Sequence, residues 1–510
     1  MSGLGKRARY GQWIARTAGA AVAVALTLAV DARAELEPCE VAKLTDDPPG
    51  KVSDFGQKVA IDGDLIAVTS AQGHGFYSGW PGTVHLFRRD GLSWNPEAVL
   101  VQPGPDRETG FGYALAIQGD VVVVGAEFDS EPVYYSGEVY VYRRVDSEWV
   151  LDGHLTAWDA DGFERFGRAV AIDGDRILVS AWTDSPEGIT EAGSAYVFRS
   201  DGADWIPEAK LADPDAEPWD GFGCSVALSG DVALIGAPSV NLDEGLEREG
   251  AALVFRYDGK QWVYEARLEP GEFGPIRLGW SVALSCDPSV AAIGGTQYDS
   301  QNGAVFVFRY SEGEWVREAT LQAAEPSGPF PYLGNSVALN ETGDLLVTGA
   351  PFDWAHGWDS GAAHVFRCSA DAWSEAAKLT GSDEEPGSYF GGWVALDEDT
   401  AIIGAHDSTE EPGAAYMFRG LIPADCNGNG VSDGCDIALG TSQDVNENGI
   451  PDECECLADV TGDDTVNVLD LLAILAAWGA SGGDVPEDVN FDGIVDVMDL
   501  LSILSSWGPC

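Results

Sequence analysis

A short motif recurs seven times along this chain at nearly constant spacing, and no other feature restricts its fold as strongly. Each unit opens with Phe-Gly or Leu-Gly and closes with an aromatic residue followed by arginine. The units begin at Phe55, Phe111, Phe166, Phe222, Leu278, Leu333 and Phe390, and their closing arginines are Arg88, Arg143, Arg199, Arg256, Arg309, Arg367 and Arg419. Successive units lie 55 to 57 residues apart, a period that is typical of propellers and solenoids.

Within a unit the β-forming residues fall into four stretches. In the third unit these are residues 169–172, 177–180, 194–198 and 205–211, and an Asp-Gly turn separates the first two. Runs of β-branched and aromatic residues joined by such turns indicate hairpins, and four strands per unit describe one propeller blade. The chain has 63 glycines and only 3 methionines, which fits a turn-rich β protein better than a helical one.

The two ends of the repeat array distinguish a closed ring from an open one. The seventh unit ends at Arg419 without a fourth strand, and a matching strand, Val41 to Leu44, precedes the first unit. An N-terminal strand that completes the last blade would remove both open edges of a linear array. The sequence therefore predicts an all-β fold, a seven-bladed β-propeller over residues 35–421 that is closed by its N-terminal strand.

The units resemble FG-GAP repeats, the blades of the integrin α-subunit propeller. The second half of that motif is present at Gly125-Ala126, Gly236-Ala237-Pro238, Gly349-Ala350-Pro351 and Gly404-Ala405. The resemblance implies a ligand-binding platform of the kind used in adhesion. The calcium-binding hairpin of that family, D-x-D-x-D-G, is absent, because the corresponding turns are too short, as at residues 61–64. We therefore do not expect calcium in the blades.

After residue 421 the composition changes to Asp, Asn, Gly and Cys. Two stretches in residues 422–455 place oxygen ligands at loop positions 1, 3, 5, 7, 9 and 12 and glycine at position 6, the spacing with which one bent loop wraps a calcium ion. The predicted ligands are Asp425, Asn427, Asn429, the Val431 carbonyl, Asp433 and Asp436 in the first loop, and Asp444, Asn446, Asn448, the Ile450 carbonyl, Asp452 and Glu455 in the second. The segment resembles thrombospondin type 3 repeats.

Residues 456–510 hold a second duplication, offset by 29 residues, in which a calcium-type loop precedes a helical run of Leu, Ile and Trp. The predicted ligands are Asp459, Thr461, Asp463, Asn467 and Asp470 in the first copy, and Asp488, Asn490, Asp492, the Ile494 carbonyl, Asp496 and Asp499 in the second. The pair resembles a type I dockerin, which implies calcium as cofactor and a cohesin-like or surface partner. Its usual recognition positions here carry Val468-Leu469 and Val497-Met498, so we expect an apolar contact surface.

Five of the nine cysteines lie in this tail, which favours an oxidising compartment. The two halves of the duplicated module are expected to pack antiparallel around the Leu/Ile/Trp run, which would bring the ends of the module together. Cys456 and Cys510 bracket the module, so we expect a disulfide between them, with Cys454 as the competing partner of Cys510. That competitor would leave Cys456 to pair with Cys426 or Cys435.

The first 34 residues are typical of a secretory signal peptide. A basic stretch, Lys6 to Arg16, precedes an apolar run, Ala20 to Val30, and an Ala-x-Ala cleavage signal, and the apolar run is too short to span a bilayer. The chain has a formal net charge of −56, and nucleic acid and anionic lipid surfaces repel such a polyanion. We therefore expect a secreted or cell-surface-associated protein with no nucleic-acid partner and no membrane span.

The sequence predicts a binding protein and not an enzyme. Its six histidines show no H-E-x-x-H or Cys/His metal spacing, and G-x-S-x-G and phosphate-binding glycine loops are absent. In a propeller the long loops share one face of the ring, and here they carry aromatic residues among aspartates, which suits a glycan or a protein ligand. The candidate ligand-face residues are Trp80, Tyr134, Trp158, Trp182, Trp219, Trp354 and Trp358.

Two functions are open at this point. The first is a secreted calcium-binding adhesion or ligand-binding protein, with the propeller as recognition platform and the tail as attachment module. The second is an extracellular carbohydrate-binding or carbohydrate-active component that docks to a scaffold through its dockerin-like tail. Either function places a protein or glycan ligand at the loop face of the propeller.

Overall fold

A computed structural model describes most of the repeat region and parts of the tail. The described residues are 38–46, 54–70, 82–91, 93–104, 109–131, 133–241, 248–271, 274–369, 372–406, 413–422, 426, 431–444, 451, 460, 465–466, 468–480, 489, 494–505 and 508–509. The predicted signal peptide, residues 1–34, lies outside them. Within the described residues no helix is both long and apolar enough to cross a membrane.

Seven four-stranded antiparallel sheets form the blades, one for each sequence unit. The first strands of neighbouring blades contact one another, and those of blades 1 and 7 also meet, so the ring is closed. The strands of blades 1 to 3 are β2 (Phe55–Asp62), β3 (Leu65–Ser70), β4 (Thr83–Asp90) and β5 (Ser93–Val101); β6 (Phe111–Gln118), β7 (Val121–Ala126), β8 (Glu138–Val145) and β9 (Glu148–Leu155); and β10 (Phe166–Asp173), β11 (Arg176–Ala181), β12 (Ser194–Ser200) and β13 (Trp205–Leu211).

The remaining blades repeat this order. Their strands are β14 (Val226–Ser229), β15 (Val232–Ala237), β16 (Ala251–Tyr257) and β17 (Trp262–Leu268); β18 (Leu278–Leu284), β19 (Val290–Gly295), β20 (Ala304–Ser311) and β21 (Glu314–Leu321); β22 (Val337–Leu339), β23 (Leu345–Ala350), β24 (Ala362–Ser369) and β25 (Ala372–Leu379); and β26 (Trp393–Asp397), β27 (Thr400–Ala405) and β28 (Ala414–Arg419). Short helical turns occur at Pro186–Gly188 and at α1 (Tyr298–Gln301). The predicted seven-bladed propeller is confirmed.

The N-terminal strand completes blade 7, as predicted. Strand β1 (Cys39–Thr45) pairs antiparallel with β28, and the sheet order is β1-β28-β27-β26. The register runs from Cys39 opposite Arg419 to Thr45 opposite Ala414. The first and last strands of the repeat region therefore share one sheet, which removes the two open edges.

The glycines of the repeated motif mark places where neighbouring blades touch through their backbones. Gly125, in the second strand of blade 2, faces Gly167, in the opening pair of blade 3. A Cβ atom on Gly125 would lie 2.1 Å from the Gly167 carbonyl oxygen, which no side chain tolerates. The phenylalanine of the same pair, Phe166, is fully buried between the blades. The motif therefore combines a close backbone approach with an apolar anchor.

The repeated Arg and Trp residues form a latch between blades. The arginine that closes a unit pairs with a carboxylate on the fourth strand of its own blade, and the Trp of the next blade donates its indole N–H to that same carboxylate. The five latches are Arg88–Glu97–Trp149, Arg143–Asp152–Trp205, Arg199–Glu208–Trp262, Arg256–Glu265–Trp315 and Arg309–Glu318–Trp373. The indole N–H to oxygen distances are 2.8–3.3 Å.

The short hairpin turns on the opposite face form a second set of inter-blade bonds. The turn glycine of one blade donates its N–H to an Asp or Gln side chain at the end of the first strand of the preceding blade. These pairs are Gly63–Asp397, Gly119–Asp62, Gly174–Gln118 and Gly230–Asp173. The side-chain oxygens at these strand ends therefore accept backbone hydrogen bonds from the next blade.

A disulfide joins the two ends of the propeller. Cys39, at the start of β1, is bonded to Cys435 in helix α2 (Asp433–Ala438), 396 residues away, with 5.9 Å between the Cα atoms. The possible pairing of Cys435 with Cys456 is therefore wrong. Cys456 and Cys510, and hence their expected bridge, lie outside the described residues.

Two further helices belong to the tail. Helices α3 (Val468–Ala476) and α4 (Val497–Ser505) contact each other, and strands β29 (Thr465–Val466) and β30 (Gly508–Pro509) pair beside them. Ile474 and Ile503 are fully buried between the helices. Leu471 and Leu500 pack against this pair, so one side of the Leu/Ile/Trp run lies between the helices. About half of the surface of each of several run members is exposed, namely Leu472, Leu475, Trp478, Leu501 and Leu504.

Candidate functional site

The long connections between strands 2 and 3, and between successive blades, lie on one face of the ring, here called the loop face. The first strand of every blade begins at this face and lines the central channel. The third residue of each unit, directly after the opening pair, differs in every blade. These residues are Gln57, Tyr113, Arg168, Cys224, Trp280, Asn335 and Gly392.

A central cavity of about 230 Å³ lies among these first strands. Its polar and aromatic lining includes Lys58, Arg168, Cys224, Trp280 and Trp393, and six valines also line it. Trp280 and Trp393 are half-buried. The cavity is thus lined by cationic groups, indole rings and apolar side chains, a combination found in ligand sites.

Two cationic side chains meet around one aromatic ring in this cavity. The Lys58 ammonium lies 5.3 Å from the centre of the Tyr113 ring and also over the Trp393 ring. The Arg168 guanidinium lies 4.7 Å from the centre of the Tyr113 ring and 4.9 Å from that of Trp182. These cation–π contacts stabilise positive charge at a place that water reaches poorly.

One carboxylate accompanies the two cations. Glu127, which directly follows β7, is 1% exposed, and its Oε1 lies 3.4 Å from Nη1 of Arg168. Burial raises the pKa of Glu127, against the opposing effect of the Arg168 charge. Burial also lowers the pKa of Lys58 well below its usual range, and the neighbouring charge of Arg168 lowers it further.

Aromatic residues of the loops surround the channel on the loop face, and we call them the mouth ring. On one side Tyr332, Phe352, Tyr389 and His406 contact in sequence, with ring centres 5.3–5.6 Å apart. On another side Tyr113 contacts Phe128, which in turn contacts Tyr135. The mouth ring therefore presents aromatic faces and edges from several blades to the entrance of the cavity.

Several residues beside the channel mouth have left-handed backbone angles. The residue directly before the opening pair adopts a left-handed φ in six blades, and in two of them it is glycine. In the other four it is a large residue with φ of 52–56°, namely Arg165, Arg277, Tyr332 and Tyr389. A non-glycine residue in this region costs about 1–3 kcal/mol and is concentrated at functional sites. The large side chains are thus kept here despite that cost.

Several buried polar atoms near the mouth have no hydrogen-bond partner among the described residues. They are Gln57 Oε1, Glu127 Oε2, Arg168 Nε, Trp182 Nε1 and Arg277 Nε. More than nine-tenths of buried polar groups in native proteins are paired with protein or water. A polar ligand, or the water that it displaces, would satisfy these atoms.

The structure places the predicted ligand-face residues on loops of the expected face. Trp158, Trp219, Trp354, Trp358 and Tyr134 are 44–56% exposed. Trp182 instead lies half-buried beside the guanidinium groups of Arg165 and Arg168, at the edge of the cavity. Trp80 lies outside the described residues.

Two of these exposed aromatics also contact other residues of the propeller. Trp158 packs edge-on against Tyr196, with ring centres 4.7 Å apart. The indole N–H of Trp354 donates to Asp359, 3.1 Å away. These residues are therefore anchored on one side and open on the other.

Only part of the predicted calcium ligand set falls within the described residues. The described members are Val431, Asp433, Asp436, Asp444, Asp470, Ile494, Asp496 and Asp499. The remaining members, Asp425, Asn427, Asn429, Asn446, Asn448, Ile450, Asp452, Glu455, Asp459, Thr461, Asp463, Asn467, Asp488, Asn490 and Asp492, lie outside them. Among the described residues alone, no group of three or more acidic, Cys or His side chains is arranged to hold a metal ion.

Three of the described carboxylates are nevertheless deeply buried. Asp436, Asp470 and Asp499, each at position 12 of its predicted loop, are at most 1% exposed. Residues 421–510 contain 18 acidic side chains and no Lys, Arg or His. Asp436 accepts a hydrogen bond from the Thr441 hydroxyl, and Asp499 accepts one from the backbone N–H of Asp496, each at 2.7 Å.

Comparison with known proteins supports the repeat assignment. A family model described as "FG-GAP repeat" matches residues 94–142, 149–198, 205–255 and 373–418. The chain carries FG-GAP repeats. Each matched segment runs from the fourth strand of one blade to the third strand of the next, so that an FG-GAP match spans the blade boundary where the glycines and the latch lie. The FG-GAP repeats form the seven-bladed propeller described above.

Other comparisons add little to this assignment. No curated protein matches the chain. Among solved structures, a chain described as "Structure of U3-55K" is 13% identical, with a TM-score of 0.48; the match covers 75% of this chain and 99% of that one.

Sequence reasoning identified the loop face but missed the cavity. The candidate residues did not include Lys58, Tyr113, Arg168 and Trp280. The fold was predicted from the positions that repeat, and these four positions vary between the blades. The available signal was the third residue of each unit, which follows an almost invariant pair and is different in all seven blades. In blades 3 to 5 this residue lines the cavity, as Arg168, Cys224 and Trp280, whereas in blades 1 and 7 the following residue, Lys58 or Trp393, does so.

Proposed function

We propose that this protein is an exported ligand-binding protein of the adhesion type, in which the FG-GAP propeller binds its ligand at the channel mouth and the tail attaches it to a partner. The observation that carries the proposal is the group of unpaired buried polar atoms at the mouth, together with the strained large residues of the mouth ring. Both features lower the stability of the fold, so stability does not explain why they are present. The proposed role is binding and not catalysis.

The test is a binding screen of the chain from residue 35 onward, in calcium, against glycans and extracellular matrix proteins. We expect binding that Trp280→Ala or Tyr134→Ala weakens by about tenfold, since each removes aromatic contact area from the loop face. Tyr264→Ala, at a 37% exposed tyrosine on outer strand β17, is the matched control and should bind normally. Equal binding by all three variants would place the site elsewhere and contradict the proposal.

For the tail we propose calcium loops that support an attachment module. The support is the burial of Asp436, Asp470 and Asp499 in a segment without basic residues. The ion would balance these carboxylates, and the thrombospondin type 3-like and dockerin-like spacing supplies further oxygens. Chelation should unfold residues 425–510 and leave the β-sheet signal of the propeller nearly unchanged. A calorimetric propeller transition that shifts as much as that of the tail would contradict this division.

The attachment role rests on the exposed faces of α3 and α4. Val468, Leu469, Val497 and Met498 are 50–53% exposed, and they occupy the same positions in the two copies. A duplicated apolar patch suits a protein partner such as a cohesin-like module or a surface scaffold. Pull-down with chains carrying Val468→Asp and Val497→Asp, compared with the unaltered chain, tests this role. Undiminished capture would contradict it.

A second candidate function is that of a carbohydrate-binding component docked to a scaffold. The observation that favours it is the exposure of four tryptophans on the loop face, Trp158, Trp219, Trp354 and Trp358. Sugars stack on indole faces, so a glycan array is the discriminating measurement. A polysaccharide turnover screen run alongside tests the carbohydrate-active version, for which turnover is required.

A further inference from the structure

The central cavity is electrostatically unlike the rest of the chain. The sequence has 84 acidic and 28 basic residues, yet the side chains that line the cavity include the cations Lys58 and Arg168 and no carboxylate. Lys58 is 7% exposed. Within the described residues its ammonium forms no salt bridge, although elsewhere Lys43, Lys210 and Lys378 all contact aspartates.

Such an arrangement is unfavourable without an anion. Two like charges around one tyrosine ring repel each other, and burial removes the water that would screen them. Glu127 lies 3.4 Å from Arg168, so Glu127, Arg168 and Lys58 together carry one positive charge when all three are ionised. Stabilisation of the fold alone would favour an apolar residue or a second carboxylate at this position.

The shape and lining restrict the class of anion. One net positive charge matches a monoanion, and the fork of a guanidinium matches the two oxygens of a carboxylate. Trp280 and Trp393 provide indole surfaces in the same cavity, against which a sugar ring can stack. A volume of about 230 Å³ lies below the roughly 300–1,000 Å³ of drug-sized pockets, so a single residue fits better than an extended polymer.

We propose that the central cavity binds the carboxylate of a hexuronate residue, with Arg168 and Lys58 as its charged partners and Trp280 and Trp393 as walls for the sugar ring. This inference rests on the proposed ligand-binding function and names the chemistry of its inner end. The exposed aromatics of the mouth ring would then contact whatever follows the terminal residue.

The test uses the chain from residue 35 onward, in calcium, and isothermal titration with D-glucuronate, its methyl ester, D-glucose and acetate. We expect D-glucuronate to bind about tenfold or more tightly than the ester and D-glucose, since these lack the charged hydrogen bonds. Acetate should bind more weakly than D-glucuronate, because it leaves the indole walls uncovered. A glucuronate-terminated disaccharide then distinguishes a glycan end, which should bind at least as well, from the free acid.

Variants separate ligand binding from folding. Lys58→Met keeps the length of the side chain and removes the buried charge, so the melting temperature should stay the same or rise while affinity for D-glucuronate falls about tenfold. Arg168→Gln should lose affinity by at least as much. Lys260→Met, at an exposed lysine in a hairpin turn of blade 4, is the matched control and should change neither property.

Several results would overturn this inference and leave the ligand-binding function intact. Equal affinity for D-glucuronate and D-glucose would remove the role of the carboxylate. Equal affinity for acetate, or preference for phosphate or an acidic peptide, would exclude a hexuronate. If Lys58→Met binds D-glucuronate with unchanged affinity, the cavity is not part of the binding site. If, in addition, the wider screen finds no ligand that depends on the loop face, the proposed function itself is wrong.

Discussion

Five of the seven blade junctions carry the Arg–carboxylate–Trp latch, and the two that involve blade 7 do not. At the junction of blades 6 and 7 the carboxylate position holds Ala376, and at the closing junction it holds Val41, opposite Trp94. At the closing junction the ends are held by strand pairing of β1 with β28 and by the Cys39–Cys435 disulfide.

The difference shows how the fold handles its one non-repetitive boundary. A latch requires a carboxylate on the fourth strand, and blade 7 borrows that strand from the other end of the chain. A covalent bond is better suited to this boundary, because it retains the terminal strand even when local pairing opens. The closing junction keeps the turn bond from Gly63 to Asp397 that other junctions have, and strand pairing and a covalent bond stand in place of the latch.

The largest effect is expected from removing the terminal strand. Deleting residues 35–45 removes β1 and with it the disulfide, so β28 becomes an open edge of blade 7. We expect aggregation or loss of a cooperative melting transition, measured by circular dichroism and light scattering. A truncated chain that stays monomeric and melts like the full one would show that the pairing of β1 is dispensable.

The next largest effect is expected from the disulfide alone. Replacing Cys39 and Cys435 with serine keeps β1 but frees its end, which should lower the free energy of unfolding by about 2–5 kcal/mol. Cys286→Ser, at an exposed free cysteine, is the control and should have no effect. Denaturant unfolding of both variants measures the difference, and equal midpoints would mean that strand pairing alone holds the closing junction.

A smaller effect is expected at the latches. Trp262→Phe removes the indole N–H that donates to Glu208 at 3.0 Å, and Trp94→Phe makes the same change where no carboxylate stands at the latch position. Because both variants lose similar ring area, their difference isolates the hydrogen bond to a charged group, about 1.5–3 kcal/mol. Equal losses in urea unfolding would show that the tryptophans act by packing only.

The smallest effect is expected from pH. Burial would raise the pKa of the latch carboxylate Glu265, but the hydrogen bond and charge of Arg256 keep it below its usual range. On the loop face burial raises the pKa of Glu164 to about 7, with Asp184 adding to the shift, and that of Asp220 to about 6. A carboxylate whose pKa is lowered by folding, such as Glu265, stabilises the fold at pH values above its unfolded pKa, near 4.3. This stabilisation is lost as the pH falls through the folded pKa.

Carboxylates whose pKa is raised by folding, here Glu164 and Asp220, have the opposite effect. The stability that they contribute is present below the unfolded pKa and is lost as the pH rises through 6 and 7. We therefore expect the melting temperature to be highest near pH 5 and to fall by pH 8. Glu164→Gln should reduce that fall, because the amide does not ionise. A melting temperature that rises steadily from pH 5 to 8 would contradict the assignment for Glu164 and Asp220.

The repeated residues made the fold predictable. Gly125 and Gly167 allow two blades to approach closely, and the opening pair and the closing arginine return in each unit and reveal the number, order and closure of the blades. Arg199 belongs to the repeated motif, but the carboxylate that it shares with Trp262 was not recognised, since Glu208 is only one of many acidic residues. The pairing of Cys39 with Cys435 was inaccessible because it joins residues 396 apart among nine cysteines.

The candidate site was predictable in place but not in chemistry. Loop aromatics such as Trp219 are visible from the sequence because loops between strands must lie on the surface. Lys58 and Arg168 stand two blades apart, and only the closed ring brings them to one cavity. The burial of these two charged groups depends on the closed ring, so it cannot be predicted from the residues next to them in the sequence.

The bond between Cys39 and Cys435 also decides how the molecule would carry mechanical tension. Cys435 follows β28 in the chain, and Cys39 lies opposite Arg419, the last residue of that strand. A pull on the tail therefore reaches the end of β28 through the backbone and the adjacent end of β1 through the disulfide. Both strands are loaded together from the same end, so rupture requires sliding the pair out of blade 7 instead of peeling one strand from an edge.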